Sequence, residues 1–214
     1  QSKMQAKGVV CTDCHDPHQA ALRLEGNDVC AQCHAGRGQP LQPSFTFQPG
    51  SEIANYVQLE SHPPDADPGI HTNNQLQRLE MSRCFQEDAT LSCASCHDPH
   101  QKESGDIRLF SQRCQTCHQA ESCGRHAELG PAIQTFCVEC HMPERKVFDT
   151  KFTTQEGVVT FVMRDHFVRA AVDEETLERT IQTMRDTTQP KGSPKVFQGR
   201  KDKKDKKDKK DKRT

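Results

Sequence analysis

Five times in this chain the sequence reads Cys-x-x-Cys-His. The copies are Cys11-Cys14-His15, Cys30-Cys33-His34, Cys93-Cys96-His97, Cys114-Cys117-His118 and Cys137-Cys140-His141. Ten of the 12 Cys are committed to these pairs. That spacing suits holding a metal or cofactor better than joining distant loops. A disulfide scaffold in an oxidising compartment is the competing use of so many Cys.

C-x-x-C-H is the haem-attachment signature. Its two thiols, on one turn of backbone, form thioethers to the two vinyl groups of one haem. The adjacent His then binds the iron from below as proximal ligand. Zinc ribbons also use C-x-x-C pairs, but they have no reason to place His directly after each one. With His at 11 of 214 positions, chance gives about 4 × 10⁻⁷ for five out of five. Five pairs are also an odd number for four-ligand zinc sites. The motifs therefore imply five haem c groups, with His15, His34, His97, His118 and His141 as proximal ligands.

The cofactor also accounts for a composition that an ordinary core does not. Only 32% of residues are apolar, there is no Trp, and Tyr occurs once. Such a chain buries too little apolar surface to offset its ordering entropy unless something else fills the interior. Five porphyrins do so, and Phe45, Phe47, Phe85, Phe110 and Phe136 are available to pack on their edges. The expected fold is mainly α, with long loops and little regular structure, organised around a packed haem array. The apo chain is not expected to fold.

Charge is unevenly spread. Ten Lys/Arg against four Asp give residues 200–214 a charge of +6, which leaves −7 on the first 199 residues of a chain whose total is −1. An acidic body disfavours nucleic acid as a partner. No run of eighteen apolar residues exists, so no transmembrane segment is expected. The first motif begins at Cys11 with no signal peptide before it, which suggests a processed protein or a fragment of a longer multihaem chain.

An internal repeat organises the rest. CTDCHDPHQ from Cys11 is followed by the Cys30 motif, and CASCHDPHQ from Cys93 by the Cys114 motif. An Arg-Leu pair, Arg23-Leu24 or Arg108-Leu109, precedes the second motif each time. The first Cys residues stand 19 apart in one copy and 21 in the other. Residues 1–38 read as a first two-haem unit, 39–70 as a Pro/Gly-rich connecting loop, and 71–188 as a three-haem unit. Within the last, Asn73 to Phe85 is expected to be one helix capped by Thr72 or Asn73. Residues 157–169 have an extended flavour that allows a short β-hairpin. Asp173 to Met184 reads as a helix with Leu177, Ile181 and Met184 on its apolar face. Residues 189–214 read as a disordered Lys/Asp-rich tail.

Five irons need five further axial ligands, and six His lie outside the motifs: His18, His62, His71, His100, His126 and His166. The supply nearly matches bis-histidine ligation throughout. His18 and His100 follow a proximal His by three residues in CHDPH. Neither can reach the far face of its own ring, so each is favoured as a ligand of a neighbouring one. His166 follows Asp165, whose carboxylate could accept the other imidazole N–H and raise its basicity. His126 and His71 are favoured as ligands too, with His62 as the spare. Met142 follows a proximal His too closely to serve the same haem, and Met4, Met81 and Met163 have nothing to single them out. Bis-histidine ligation implies low-potential irons. Cys84 and Cys123 lie outside every motif, and a disulfide between them is favoured over two free thiols.

The segments CTDCHDPH, SRCFQ…LSCASCHDPHQ, CVECHMPER and RDHFVR resemble multihaem c-type cytochromes of bacterial respiratory systems. They are similar to those related to the cytochromes of nitrogen metabolism, planctomycete-type forms included, over about residues 4–170. The resemblance implies that His18, His100 and His166 are distal ligands. It also implies a location outside the cytoplasmic membrane, periplasmic or extracellular.

The leading functional expectation is electron transfer in a respiratory chain, without enzymatic activity, between redox protein partners that the sequence does not name. The rival is a haem enzyme or enzyme subunit, such as an oxyanion reductase or a hydroxylamine-type oxidase, with one open-coordination iron. Some multihaem reductases carry Lys in place of the motif His of the catalytic haem, and all five motifs here keep His. A third reading makes the chain part of a larger respiratory complex.

Overall fold

The computed structural model describes residues 2, 4–35, 38–43, 46–60, 67, 69–71, 73–103, 105–155, 157–170 and 172–188. His62, Phe45, Thr72 and the 189–214 tail lie outside the described residues.

The helices are short, and most begin or end on a motif. They are α1 (Cys11–Cys14), α2 (Asp28–His34), α3 (Gln75–Glu80), α4 (Arg83–Glu87), α5 (Cys93–Cys96), α6 (Ile107–Cys114), α7 (His126–Leu129) and α8 (Cys137–His141). The longest, α9 (Glu174–Thr188), closes the described chain. Two antiparallel pairs accompany them: β1 (Gly38–Pro40) with β2 (Val57–Leu59), and β3 (Glu144–Thr154) with β4 (Gly157–Arg164). The fold is thus a mixed, loop-rich one: the long loops were expected, and the two antiparallel pairs make it less purely α than expected.

The single helix expected over Asn73–Phe85 is broken in two. Ser82 takes an extended backbone, φ −80° and ψ 134°, between α3 and α4. Its fully buried hydroxyl donates to the His166 carbonyl at 3.1 Å and accepts from the Val168 N–H at 2.8 Å. A continuous helix would carry that hydroxyl elsewhere and leave two buried backbone groups of the 166–168 segment unpaired, which is costly. The N-cap position belongs to Asn74, whose side chain accepts from the His71 N–H at 2.8 Å.

The hairpin is longer than expected and starts earlier. It pairs Glu144 with Arg164 and Thr154 with Gly157, with a bulge between Val147 and Lys151. Residues 165–169 are not strand. Val158, Val159 and Val162 on β4 are exposed while Val147 on β3 is buried, so only the root of the hairpin packs on the body.

Helix α9 is capped by Asp173, whose carboxylate accepts from the Thr176 N–H at 2.7 Å, and it runs four residues past Met184. Its buried seam is Thr176, Thr180 and Met184, at i, i+4 and i+8. Leu177 and Ile181 are half-buried beside it. The Thr180 hydroxyl can be buried because it donates to the Thr176 carbonyl at 2.8 Å. Met184 meets Ile133 and Phe136 in a small core that also touches Ile107, Cys123, Leu129 and Ala132.

The two repeat units meet directly. Asn27, at the start of α2, accepts from the Cys93 N–H at 2.8 Å with its side-chain oxygen. This bond joins the second motif to the third.

Candidate haem-binding site

Each motif folds as about one helical turn. In the first, third and fourth, the His N–H donates to the carbonyl of the first Cys, at 2.9, 2.8 and 3.0 Å. This places the two thiols three residues apart on one side of the turn and swings the backbone extended at the His, with ψ 142° at His15 and 133° at His97. The repeat is visible in the caps. Asp13 Oδ2 accepts from Val10 N–H at 2.9 Å, and at the matching position Ser95 Oγ accepts from Ser92 N–H at 3.0 Å.

Both CHDPH segments make the same turn. Asp16 Oδ1 accepts from the His18 N–H at 2.7 Å, and Asp98 Oδ1 from the His100 N–H at 2.9 Å, each an Asx turn that re-aims the second His. The units differ in how the turn is anchored. In the first, the Arg23 N–H reaches the Cys14 carbonyl at 2.8 Å and the Arg23 guanidinium reaches the Thr12 carbonyl at 2.7 Å. In the second, the Arg113 guanidinium bridges the Cys96 carbonyl and Glu103. Glu103 in turn accepts from the Asp98 N–H at 3.0 Å.

Two pairs of imidazoles face each other across the chain. The His15 and His100 ring centroids are 6.2 Å apart at 24° between planes, and those of His97 and His166 are 6.1 Å apart at 28°. A metal–imidazole bond of about 2.0 Å puts a ring centroid about 3.2 Å from the metal, so two imidazoles on opposite sides of one ion stand roughly 6.3 Å apart. An offset aromatic stack falls in the same range. In each pair, however, one member is a motif His and the other is not.

The nitrogens point the same way. His15 Nδ1 is 3.2 Å from the Ala20 carbonyl, His166 Nδ1 is 3.2 Å from the Arg164 carbonyl, and His141 Nδ1 is 3.2 Å from the Arg169 carbonyl. An imidazole whose Nδ1–H is given to a carbonyl keeps Nε2 unprotonated as a donor to a metal. Burial, then the neighbouring His97, push His166 down to about 4, which keeps it neutral at pH 7. Burial also lowers His97. These residues fit a haem iron held between two imidazoles.

His166 is held by partners the sequence did not reveal. The Asp165 carboxylate does not accept from the His166 ring; it takes the Arg78 guanidinium, Nε to Oδ1 at 2.9 Å and Nη2 to Oδ2 at 2.7 Å, with both side chains buried. Asp165 Oδ1 also accepts from the Phe167 N–H at 3.0 Å, and Arg145 and Arg169 approach Oδ2 at 3.4 and 3.5 Å. The only sequence signal of this clamp was Ser82, a helix-capping residue type in the middle of a supposed helix.

Among the described residues, no imidazole ring contact is found for His18, His34, His118 or His126. His34 and His118 are exposed, and so is His18. His126 opens α7 and His71 stands before α3, both half-buried.

Thiols of different motifs lie close together. Cys30 and Cys93 are neighbours; Cys93 first and then burial raise Cys30, while Cys30 draws Cys93 down to about 7. Burial, then the nearby Cys137, push Cys114 up to about 11. Cys84 lies near Cys96 and Cys114, and Cys123 near Cys137 and Cys140. All 12 cysteines are free thiols in this structure, Cys84 and Cys123 among them.

A family model described as a doubled CXXCH motif matches residues 4–39. The match supports a multihaem c-type cytochrome-like protein, and the motifs imply covalently bound haem c. No curated protein and no solved structure matches the chain significantly. Among the described residues, no helix is long and apolar enough to cross a membrane.

Proposed function

We propose that the chain is an electron carrier with five covalent haems, most of them ligated by two histidines. The observation that carries the reading is the pairing of a motif His with a non-motif His at 6.2 and 6.1 Å in two separate places. An iron held on both sides by imidazole has no position for a substrate. It exchanges electrons only, at the low potential that bis-histidine ligation favours over Met/His. The doubled motif at residues 4–39 supports the same reading.

The thiol neighbourhoods suit a relay. Cys30 beside Cys93, and Cys114 beside Cys96 and Cys137, bring the attachment points of successive motifs together. Haems tethered there stand close enough to pass electrons along the chain. Donor and acceptor are redox proteins that meet the acidic body transiently through complementary charge. Covalent haem attachment supports a location outside the cytoplasmic membrane, in the periplasm or at the cell exterior.

Carbon monoxide titration of the reduced protein, alongside a search for high-spin ferric signals, tests the reading. No carbon monoxide uptake and wholly low-spin iron are expected. Stoichiometric binding at one haem in five would identify an open iron and favour an enzyme instead.

A further inference from the structure

We infer that one turn of the second repeat unit supplies ligands to two different irons. His97 is the proximal ligand of the haem attached at Cys93 and Cys96, and His100 is the distal ligand of the haem attached at Cys11 and Cys14. His166 completes the former iron. The inference rests on the bis-histidine reading and adds to it which histidine serves which haem.

The geometry assigns the pairs. His100 faces His15 at 6.2 Å, although it belongs to the other repeat unit, and His97, three residues before it, faces His166 at 6.1 Å. The two His can face different partners because the turn between them is fixed. Asp98 Oδ1 accepts from the His100 N–H, and the Asp98 N–H donates to Glu103, which Arg113 ties back to the Cys96 carbonyl. The opposite ligand is as firmly held. Ser82 grips the backbone at His166 and Val168, and the buried Arg78–Asp165 pair fixes the residue before it.

The repeat is therefore used asymmetrically. His18 occupies the same position in the first unit and its turn is the same, yet no imidazole ring faces it among the described contacts, whereas His100, also exposed, faces His15. Among the described residues, the second unit reaches across to the first. The consequence is a fixed link between the first and third haems through four residues of chain, so the first haem couples to the third rather than only to its neighbour in sequence.

The experiment uses the full holoprotein and counts haems that bind carbon monoxide, each variant scored as the increment over the unaltered chain. His100→Ala and His166→Ala are each expected to open one haem. The increment from His100→Ala should vanish in a chain lacking the first haem (Cys11→Ala, Cys14→Ala), while that from His166→Ala persists there. No increment from His100→Ala, or one that survives loss of the first haem, overturns the assignment. Carbon monoxide binding by the unaltered chain is a separate failure, that of the relay reading. Should the haem-deficient chain not fold, an experimental structure of the holoprotein decides. His100 on the iron beside Cys11 and Cys14 supports the assignment, and any other ligand there overturns it.

Discussion

Arg78 and Asp165 form a two-pronged ion pair, at 2.9 and 2.7 Å, with 1% and 0% of their side chains exposed. It joins the helix before the third motif to the segment that carries His166. Burial works against the Arg78 charge, and the hydrogen bonds to Asp165 and Asp67 outweigh it, so the guanidinium stays charged.

Breaking that pair from one side leaves a buried charge with reduced compensation. Asp165→Asn in the holoprotein is expected to lower unfolding stability by about 3–5 kcal/mol. Denaturant unfolding followed at the haem absorbance would measure it. A cost below about 1 kcal/mol would show that the pair is not buried in solution.

Ser82 satisfies two backbone groups at once. Ser82→Ala leaves the His166 carbonyl and the Val168 N–H without their partner and is expected to cost about 1–3 kcal/mol. Because those groups flank a proposed ligand, the variant should also convert part of one haem to a high-spin form at equilibrium. Electron paramagnetic resonance would register it; a purely structural role for Ser82 predicts lost stability with an unchanged spectrum.

Acid should release the anchor of the second CHDPH turn. The Glu103 carboxyl is pulled down to about 2, first by the Arg113 guanidinium and then by the Asp98 N–H. A depressed carboxyl contributes stability that is complete above about 4.5, its ordinary value, and is lost as pH falls through about 2. Glu103→Gln should be less stable than the unaltered protein at neutral pH. The difference should shrink over that window and vanish at its acid end. A difference that does not change with pH would contradict the ion pair.

The two cysteines outside the motifs should both react. Alkylation of the denatured holoprotein without reductant is expected to add two labels, at Cys84 and Cys123, while mass analysis shows five haem increments. Zero labels would mean the disulfide forms after all.

What could be read before folding was whatever depends on near neighbours in the chain. The existence of a hairpin near residue 157 and of α9 follows from residues within a few positions of one another. The apparent helix from Asn73 to Phe85 misled because propensity and periodicity are local, while the break at Ser82 is set by backbone groups 84 and 86 positions away. The expected Asp165–His166 contact failed for the same reason. Arg78, 87 positions distant, takes the carboxylate first.

The C-x-x-C-H motifs by themselves imply covalently bound haem c, since two thiols and an imidazole within five residues complete that chemistry on one turn. Only the tertiary structure decided which histidine faces which. The far side of an iron has to be reached from elsewhere in the chain, and that depends on Ser82, Arg78 and Asp165 holding His166 opposite His97, and on the second unit presenting His100 to His15.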